Sequence, residues 1–142
     1  MIQEVDEILN QVKKGDTLPK YQETIDEKKY RKYNRLIREI NPIHFNEAYA
    51  QKLGYQTIVI AGNYLFTFIP KWLADWVGQV RVIKHIDIKF DTPVYPNDTI
   101  IHTGEVTDIK EDGAKKRIIC RYVIHKKSGE RTAYGKIILS EA

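Results

Sequence analysis

The sequence GNYLFTFIPKWLADWV, which runs from Gly62 to Val77, is apolar on nearly every side when it is placed on a helix. Such a pattern predicts a helix that is buried in the interior of a domain, because a surface helix would keep one polar face. Pro70 lies inside this stretch, where a proline removes a backbone hydrogen bond and clashes with the preceding turn. We therefore expect a kink or a break near Pro70, and we interpret Trp72 as a core residue and Trp76 as a rim residue.

The half of the chain that follows this helix is predicted to form an antiparallel sheet. Apolar and polar residues alternate over residues 80–90, which is typical of a strand with one buried face. Three further strands are expected, at residues 99–110, 115–125 and 131–139. Asp112-Gly113 and Ser128-Gly129 are typical hairpin turns between them. A sheet that must bury one face against an apolar helix predicts an α+β domain.

The first half of the chain predicts shorter elements. The expected elements are an extra N-terminal helix within residues 1–15, a strand over residues 17–23, a helix over residues 24–40 and a short helix over residues 46–53. Thr24 and Glu27 match a capping box at the start of the second of these helices. Tyr30 and Tyr33 lie on its apolar stripe and are interpreted as packing residues. No repeat or linker composition interrupts the chain, so residues 1–142 are expected to form a single domain.

A carboxylate and an imidazole lie five positions apart in the segment EINPIH, residues 39–44. Proline fixes its own φ and favours an extended Asn41, so the preceding helix should end near Ile40. Glu39 would then project from the helix end and His44 from the turn, which would aim an acid and a base at one small volume. The alternative is an Asn-Pro turn with a surface histidine that has no chemical role.

Two segments of the chain resemble the MaoC-like hydratases, which are (R)-specific enoyl-CoA hydratases and hydroxyacyl-thioester dehydratases. The family motif reads Asp-x-Asn-Pro-x-His and is followed by a His-Gly pair, and Glu39–His44 and Ala61-Gly62 stand at these positions here. Lys89–Thr99, which reads KFDTPVYPNDT, is similar to the family pattern Phe-x-x-Pro-Val-x-Pro-Gly-Asp. The resemblance covers about residues 18–139 and implies the hot-dog fold, an antiparallel sheet wrapped around a central helix.

The resemblance also implies how an active site would work. In the family, the Asp and His of the motif hold one water, and a backbone N–H at the start of the hot-dog helix binds the thioester oxygen. By position, Glu39 and His44 are the candidate catalytic pair and Gly62 is the candidate amide donor. A helix N-terminus presents unpaired N–H groups, and glycine allows a ligand oxygen to come close to them. Asn41 and Asn63 are the candidate substrate-binding residues.

Three departures from the family pattern lie at or beside these positions. Glu39 replaces the Asp and lengthens the acid by one methylene. Ile37-Arg38 replaces the Ser-Gly that commonly precedes the acid, and Ala61 replaces the His of the His-Gly pair. A shift of about 1 Å at reacting groups costs on the order of a hundredfold in rate. The longer acid is therefore expected to start from a slightly withdrawn helix end.

The leading functional prediction is a lyase that hydrates an enoyl thioester or dehydrates a 3-hydroxyacyl thioester, without a metal, nicotinamide or flavin. The alternative is a non-catalytic acyl-binding subunit, because some dehydratases of this superfamily pair a catalytic hot-dog chain with one that mainly forms the acyl tunnel. A third class, the hot-dog thioesterases, presents its acid from the central helix, where this chain has only Asp75, far from Gly62. His85, His102 and His125 have no carboxylate at useful spacing and are interpreted as structural.

The composition is that of an ordinary globular protein, with 42% hydrophobic and 30% charged residues among 142. The net charge of +4 favours an anionic partner such as an acyl-CoA or an acyl carrier protein. Arg81, Lys84 and Lys89 are candidate contributors to that contact. The basic residues form no dense run, so a nucleic acid partner is not expected. A single cysteine, Cys120, excludes an intrachain disulfide and predicts no metal cluster.

The N-terminus is acidic and polar, and no apolar run approaches membrane length. We therefore expect a cytoplasmic protein without membrane contact. A single hot-dog sheet has a free edge, which favours association. A homodimer, or a heterodimer with another hot-dog chain, is expected, with edge strands paired and active sites near the interface.

Overall fold

A computed structural model describes residues 8–78, 82–113 and 115–141. Residues 8–11 are helical, and the part of the predicted N-terminal helix before residue 8 lies outside the described residues. The helices that follow are α1 (Glu27–Leu36), α2 (Glu47–Lys52), α3 (Gly62–Phe66) and α4 (Phe68–Val77), with a 3₁₀ helix at Pro42–His44. The strands are β1 (Tyr21–Thr24), β2 (Ile83–Ile86), β3 (Lys89–Phe90), β4 (Thr99–Asp112), β5 (Lys115–Lys126) and β6 (Arg131–Ser140).

These strands form one antiparallel sheet in the order β1-β4-β5-β6-β2, in which β3 also pairs with β6. β4, β5 and β6 confirm the three long predicted strands to within two residues at each end. The strand predicted over residues 80–90 is divided into β2 and β3, and its start lies outside the described residues. Gly113 and Gly129, at the two hairpin turns, have φ values of 64° and 97°, the left-handed backbone that favours glycine.

The central helix fills the core of the sheet, as its apolar pattern predicts. The buried residues of α4 are Ile69, Trp72, Leu73 and Val77. The Trp72 ring packs against Tyr122 of β5 and His102 of β4, with ring centroids 6.2 and 5.4 Å apart. A Cβ at Gly104 would lie 3.2 Å from the Trp72 ring, so glycine on β4 permits this close approach. The architecture confirms the α+β hot-dog fold.

The break predicted near Pro70 is present, and it lies at Thr67. α3 ends at Phe66 and α4 begins at Phe68. Pro70 therefore stands in the first turn of α4, where its missing N–H removes no helical hydrogen bond. The Thr67 hydroxyl closes the junction by donating to the Tyr64 carbonyl at 2.6 Å.

The helix before the Asn-Pro corner starts and ends at other residues than the sequence predicts. Thr24 belongs to β1, and Asp26 caps α1 by accepting a hydrogen bond from the Lys29 N–H at 3.0 Å. The capping-box prediction is therefore wrong. α1 ends at Leu36, four residues before its predicted end at Ile40.

Backbone hydrogen bonds end α1 before Pro42 can do so. The Glu39 N–H donates to the Asn34 carbonyl at 2.9 Å, and the Arg38 N–H donates to the Arg35 carbonyl at 3.3 Å. This pair of bonds is the Schellman pattern, whose left-handed position usually holds glycine. Arg38 occupies that position with a φ of 55°. Because a Cβ disfavours this backbone, the turn into the candidate site carries strain that glycine would avoid.

His102 is the fully buried histidine on the inner face of β4. Its Nδ1 lies 3.3 Å from the Tyr21 carbonyl oxygen, and its Nε2 has no hydrogen-bond partner among the described residues. Burial lowers the pKa of His102 from 6.5 to about 4. His102 is therefore neutral in the folded chain over the pH range in which an exposed histidine becomes charged.

Acid should destabilise the fold through His102. Between pH 6.5 and pH 4 the unfolded chain binds a proton at His102 that the folded chain does not, so stability falls as the pH falls. We expect a loss of about 2 kcal/mol in the free energy of unfolding between pH 7.5 and pH 5. Urea unfolding of the wild type and of His102→Gln at both pH values measures it. An equal pH dependence in the two proteins would contradict the assignment to His102.

Candidate active site

The Asn-Pro corner is a short 3₁₀ helix whose turn is built by Asn41. The backbone of Asn41 is extended, with φ −78° and ψ 112°, as expected before a proline. Its side-chain Oδ1 accepts a hydrogen bond from the Ile43 N–H at 3.2 Å. The Asn41 side chain therefore holds the turn that presents His44.

His44 is half-buried, and one of its ring nitrogens is fixed by the backbone. Its Nδ1 lies 2.8 Å from the Val59 carbonyl oxygen. Because a carbonyl can only accept, Nδ1 must carry the hydrogen, and in the neutral ring Nε2 then carries the free lone pair. The main chain of His44 is held as well, since the Asn34 Nδ2 donates to the His44 carbonyl at 2.9 Å.

His44 and Gly62 line the same cavity, whose volume is about 270 Å³. The walls are formed by the loop before α3 and by the segment that follows β3. The lining residues are His44, Tyr55, Val59, Ile60, Gly62, Leu65, Phe90, Asp91, Thr92, Pro93 and Val94. The structure therefore brings together the histidine and the glycine that the sequence singles out.

Gly62 is the first residue of α3, and its neighbours leave its amide available to the cavity. The Ala61 N–H donates to the Tyr30 hydroxyl at 2.8 Å. Within the described part of the chain, the N–H groups of Gly62 and Asn63 have no hydrogen-bond acceptor. A Cβ on Gly62 would lie 2.7 Å from the Phe90 ring, so a larger residue would have to displace that ring.

Glu39 lies outside this cavity. Its Oε1 accepts hydrogen bonds from the Ile40 N–H at 3.1 Å and from the Asn41 N–H at 3.0 Å. It lines a neighbouring cavity of about 250 Å³, which we call the arginine cavity. The arginine cavity is lined by Arg31, Asn34, Arg35, Arg38, Glu39 and Phe45. The structure thus places the predicted acid and the predicted histidine in adjacent cavities rather than in one.

The arginine cavity carries an excess of positive charge. Arg31 is paired with Glu27 at 3.0 Å and donates to the Phe45 carbonyl at 3.2 Å. Arg35 and Arg38 form no ion pair with any described residue. The cavity therefore holds two guanidinium groups that are available to an anion.

The family model described as MaoC like domain matches residues 10–127. The chain belongs to the MaoC-like family. An (R)-hydratase from A. caviae involved in PHA biosynthesis has the same fold, with a TM-score of 0.79 and 17% identity over 92% of this chain and 97% of that chain. The ChsH1-ChsH2 complex from Mycobacterium tuberculosis gives a TM-score of 0.72 and 23% identity, over 91% of this chain and 99% of that chain.

One curated relative of this MaoC-like chain is the 3-oxo-4,17-pregnadiene-20-carboxyl-CoA hydratase beta subunit of Mycobacterium tuberculosis (strain ATCC 25618 / H37Rv). The two are 24% identical over 84 residues, which is 59% of this chain. The match spans 65% of the subunit's length, slightly less than two thirds. At identities of 17% to 24%, these three similarities show a shared fold and nothing finer.

The structure also describes Asn63 and His85, two further residues about which the sequence made predictions. Asn63 is exposed in the first turn of α3 and does not line the His44 cavity. His85 does have a carboxylate partner, because its Nε2 lies 3.1 Å from the Asp87 Oδ2. The expectation that His85 lacks such a partner is therefore wrong.

Sequence reasoning missed Asp91, the acidic residue that lines the same cavity as His44 and Gly62. Asp91 stands at a variable position of the Lys89–Thr99 pattern, so the family resemblance gives no signal for it. Its Oδ2 accepts a hydrogen bond from the Arg131 Nε, and its N–H donates to the Thr132 carbonyl at 2.8 Å.

The described residues show neither a group of side chains placed to hold a metal ion nor a helix that could span a membrane. Among the described residues, no three histidine, cysteine or acidic side chains are placed to hold a metal ion together. No helix among the same residues is long and apolar enough to cross a membrane. Arg81, a candidate contact for an anionic partner, lies outside the described residues.

Proposed function

We propose that this MaoC-like chain catalyses the reversible hydration of an enoyl thioester, which in reverse is the dehydration of a 3-hydroxyacyl thioester. The observation that carries the proposal is the single cavity that His44 shares with Gly62. The imidazole offers a lone pair at Nε2, and the first turn of α3 offers unpaired N–H groups. A proton acceptor and an oxyanion donor in one cavity are the groups that this reaction requires.

In the hydration direction, Glu39 and His44 hold one water against the β-carbon of the enoyl thioester. The water oxygen bonds to that carbon while the water loses a proton to the pair. The electrons of the double bond move toward the thioester, whose oxygen becomes negative and is stabilised by the Gly62 N–H. The pair then passes the proton taken from the water to the α-carbon, which restores the carbonyl and completes the 3-hydroxyacyl thioester.

This assignment requires Glu39 to leave its present hydrogen bonds. Only the Glu39 Oε1 is bonded, to the N–H groups of Ile40 and Asn41, and its Oε2 has no bond to a described residue. Rotation about the side chain would expose these two N–H groups to water, because both lie at an exposed turn. The extra methylene of glutamate supplies reach that aspartate lacks.

Substitution of the two nearby acids should identify the one that takes part. Glu39→Gln keeps the size of the side chain but removes the base, so kcat for crotonyl-CoA should fall by about 10²- to 10⁴-fold. Asp91→Asn should change kcat by less than about fivefold, the effect expected from losing a surface ion pair. Glu39→Asp should be slower than wild type if the site has adjusted to the longer acid. If kcat is unchanged in Glu39→Gln but lost in Asp91→Asn, the acid that takes part is Asp91 and not Glu39.

The second candidate function is a non-catalytic acyl-binding subunit of a heteromeric hot-dog dehydratase. The observation that favours it is the position of Glu39, which is bonded to backbone and lies outside the His44 cavity. In that case the chain alone would be inactive, and activity would appear only with a partner that carries its own acid and histidine. A thioesterase is less well supported, because Asp75 is an exposed residue of α4 that does not line the His44 cavity.

We propose that the chain works as a homodimer or as a heterodimer with another hot-dog chain. The ChsH1-ChsH2 complex, which has the same fold, contains two differently named chains. Residues 36–53 of this chain carry a concentration of exposed large apolar side chains, which are typical of surfaces that bind another protein. These side chains are Leu36, Ile37, Ile40, Phe45, Tyr49 and Leu53.

We propose acyl-CoA as the substrate form, with the arginine cavity as the contact for its phosphates. The double substitution of Arg35 and Arg38 by alanine should raise KM for crotonyl-CoA at least about tenfold, because charge-assisted hydrogen bonds are lost. KM for the crotonyl thioester of N-acetylcysteamine, which has no phosphate, should not change. The matched control replaces Lys28 and Lys32, two exposed cations of α1 that do not line the cavity. Equal KM values for crotonyl-CoA in the two double variants would contradict the assignment.

A further inference from the structure

One carbonyl oxygen joins the two halves of the candidate site. The Val59 carbonyl lies 2.8 Å from the His44 Nδ1 and also accepts a hydrogen bond from the Tyr30 hydroxyl at 2.9 Å. The same hydroxyl accepts a hydrogen bond from the Ala61 N–H at 2.8 Å. A continuous chain of hydrogen bonds therefore runs from the His44 ring through Val59 and Tyr30 to the residue that precedes Gly62.

Burial and ring packing hold the Tyr30 side chain in the position that makes these two hydrogen bonds. Its side chain is fully buried between α1 and the central helix, where its ring packs edge-on against Tyr64 at a centroid distance of 4.9 Å. Burial raises the pKa of the Tyr30 hydroxyl to about 12, so the hydroxyl keeps its proton and remains a donor to Val59. Because Val59 can only accept and Ala61 can only donate, both directions of the hydrogen bonds are fixed.

We propose that Tyr30 is a positioning residue, whose hydroxyl fixes the His44 ring and the Gly62 amide relative to each other. The inference rests on the proposed hydration of an enoyl thioester for its catalytic consequence. Tyr30 does not line the His44 cavity, so its hydroxyl is not placed to react with the substrate. The hydroxyl acts through Val59, whose carbonyl orients the imidazole, and through Ala61, whose position determines where the Gly62 N–H lies.

The chain contains a matched control for Tyr30 on the same helix. Tyr33 also packs edge-on against Tyr64, with the same centroid distance of 4.9 Å. Its hydroxyl makes no hydrogen bond within the described part of the chain. Replacing either tyrosine by phenylalanine removes one hydroxyl, but only Tyr30→Phe interrupts the chain between His44 and Gly62.

The first measurement needs no substrate. The nitrogen NMR signals of the His44 ring and of the Gly62 amide should change in Tyr30→Phe and stay unchanged in Tyr33→Phe. Hydrogen exchange of the Ala61 amide should become faster only in Tyr30→Phe. Tyr30 can also be replaced by a ring-fluorinated tyrosine, which keeps the size but alters the hydroxyl's donor and acceptor strength. This replacement should shift the same signals even if Tyr30→Phe does not fold. Unchanged signals, or equal changes at both positions, would overturn the proposal.

The second measurement uses the reaction. Tyr30→Phe should lower kcat for crotonyl-CoA by on the order of tenfold to a hundredfold with little change in KM, because a misplaced amide weakens transition-state binding. The carbonyl stretch of bound butyryl-CoA, a saturated thioester, should move back toward its value in water, and Tyr33→Phe should show neither effect. If the wild type is active and Tyr30→Phe changes the NMR signals but leaves kcat and the carbonyl stretch unchanged, the positioning role is overturned. An inactive wild type with the NMR changes present would contradict the proposed function and support the coupling.

Discussion

Replacing His44 with alanine is expected to lower kcat for hydration of crotonyl-CoA by about 10²- to 10⁴-fold, the range for a lost general acid or base. The imidazole is the group in the cavity of Gly62 whose lone pair at Nε2 can accept a proton from water. Because the 3₁₀ turn that carries His44 contains no fully buried residue, loss of the imidazole should leave thioester binding and the fold largely intact. The initial rate can be followed through the loss of the enoyl thioester absorbance.

His125→Ala is the matched control for His44→Ala. His125 is half-buried on β5, its Nδ1 lies 3.1 Å from the carbonyl of the adjacent Lys126, and it does not line the cavity. Its loss should leave kcat unchanged. Turnover that survives His44→Ala would refute the proposed mechanism, whereas equal losses in both variants would indicate a general effect on folding.

Removing the Gly62 amide is expected to lower kcat by about 10²- to 10³-fold, the cost of losing one oxyanion donor. Proline removes this N–H and is well suited to the first position of a helix. The preceding Ala61 has φ −66° and ψ 142°, the extended backbone that a following proline requires. Because a Cβ at position 62 would meet the Phe90 ring at 2.7 Å, the change is made in a Phe90→Ala background.

Gly62→Ala in the same Phe90→Ala background isolates the amide from the added side chain. Both double variants carry a Cβ in the same place, and only the proline variant lacks the N–H. The ratio of their kcat values therefore reports the amide, while KM should differ little because the oxyanion forms only after binding. Equal kcat values would show that the Gly62 amide does not stabilise the transition state.

The sequence was sufficient for the features that depend on local pattern. The apolar stretch from Gly62 to Val77 predicts the central helix, and Pro70 predicts its break. Alternation and glycine turns predict β4, β5 and β6, because side-chain period and turn chemistry are local properties. The resemblance also identified His44 and Gly62, which line one cavity.

Two kinds of feature could not be predicted in this way: unusual local backbone and side-chain conformations, and contacts between distant segments. The end of α1 depends on an arginine that adopts a glycine backbone, which no propensity indicates. The Glu39 side chain turns to the neighbouring N–H groups, a rotamer that composition does not fix. Asp91 reaches the His44 cavity and Tyr30 reaches Val59 only through the tertiary fold, because these contacts join segments far apart in sequence.

The decisive measurement is the initial rate of crotonyl-CoA hydration by the wild-type chain purified without any partner. If this chain carries its own active site, it should turn over the thioester alone, and the rate should be lost in His44→Ala. Wild-type protein that is folded but inactive alone, and that becomes active only when a second hot-dog chain is added, would contradict that conclusion.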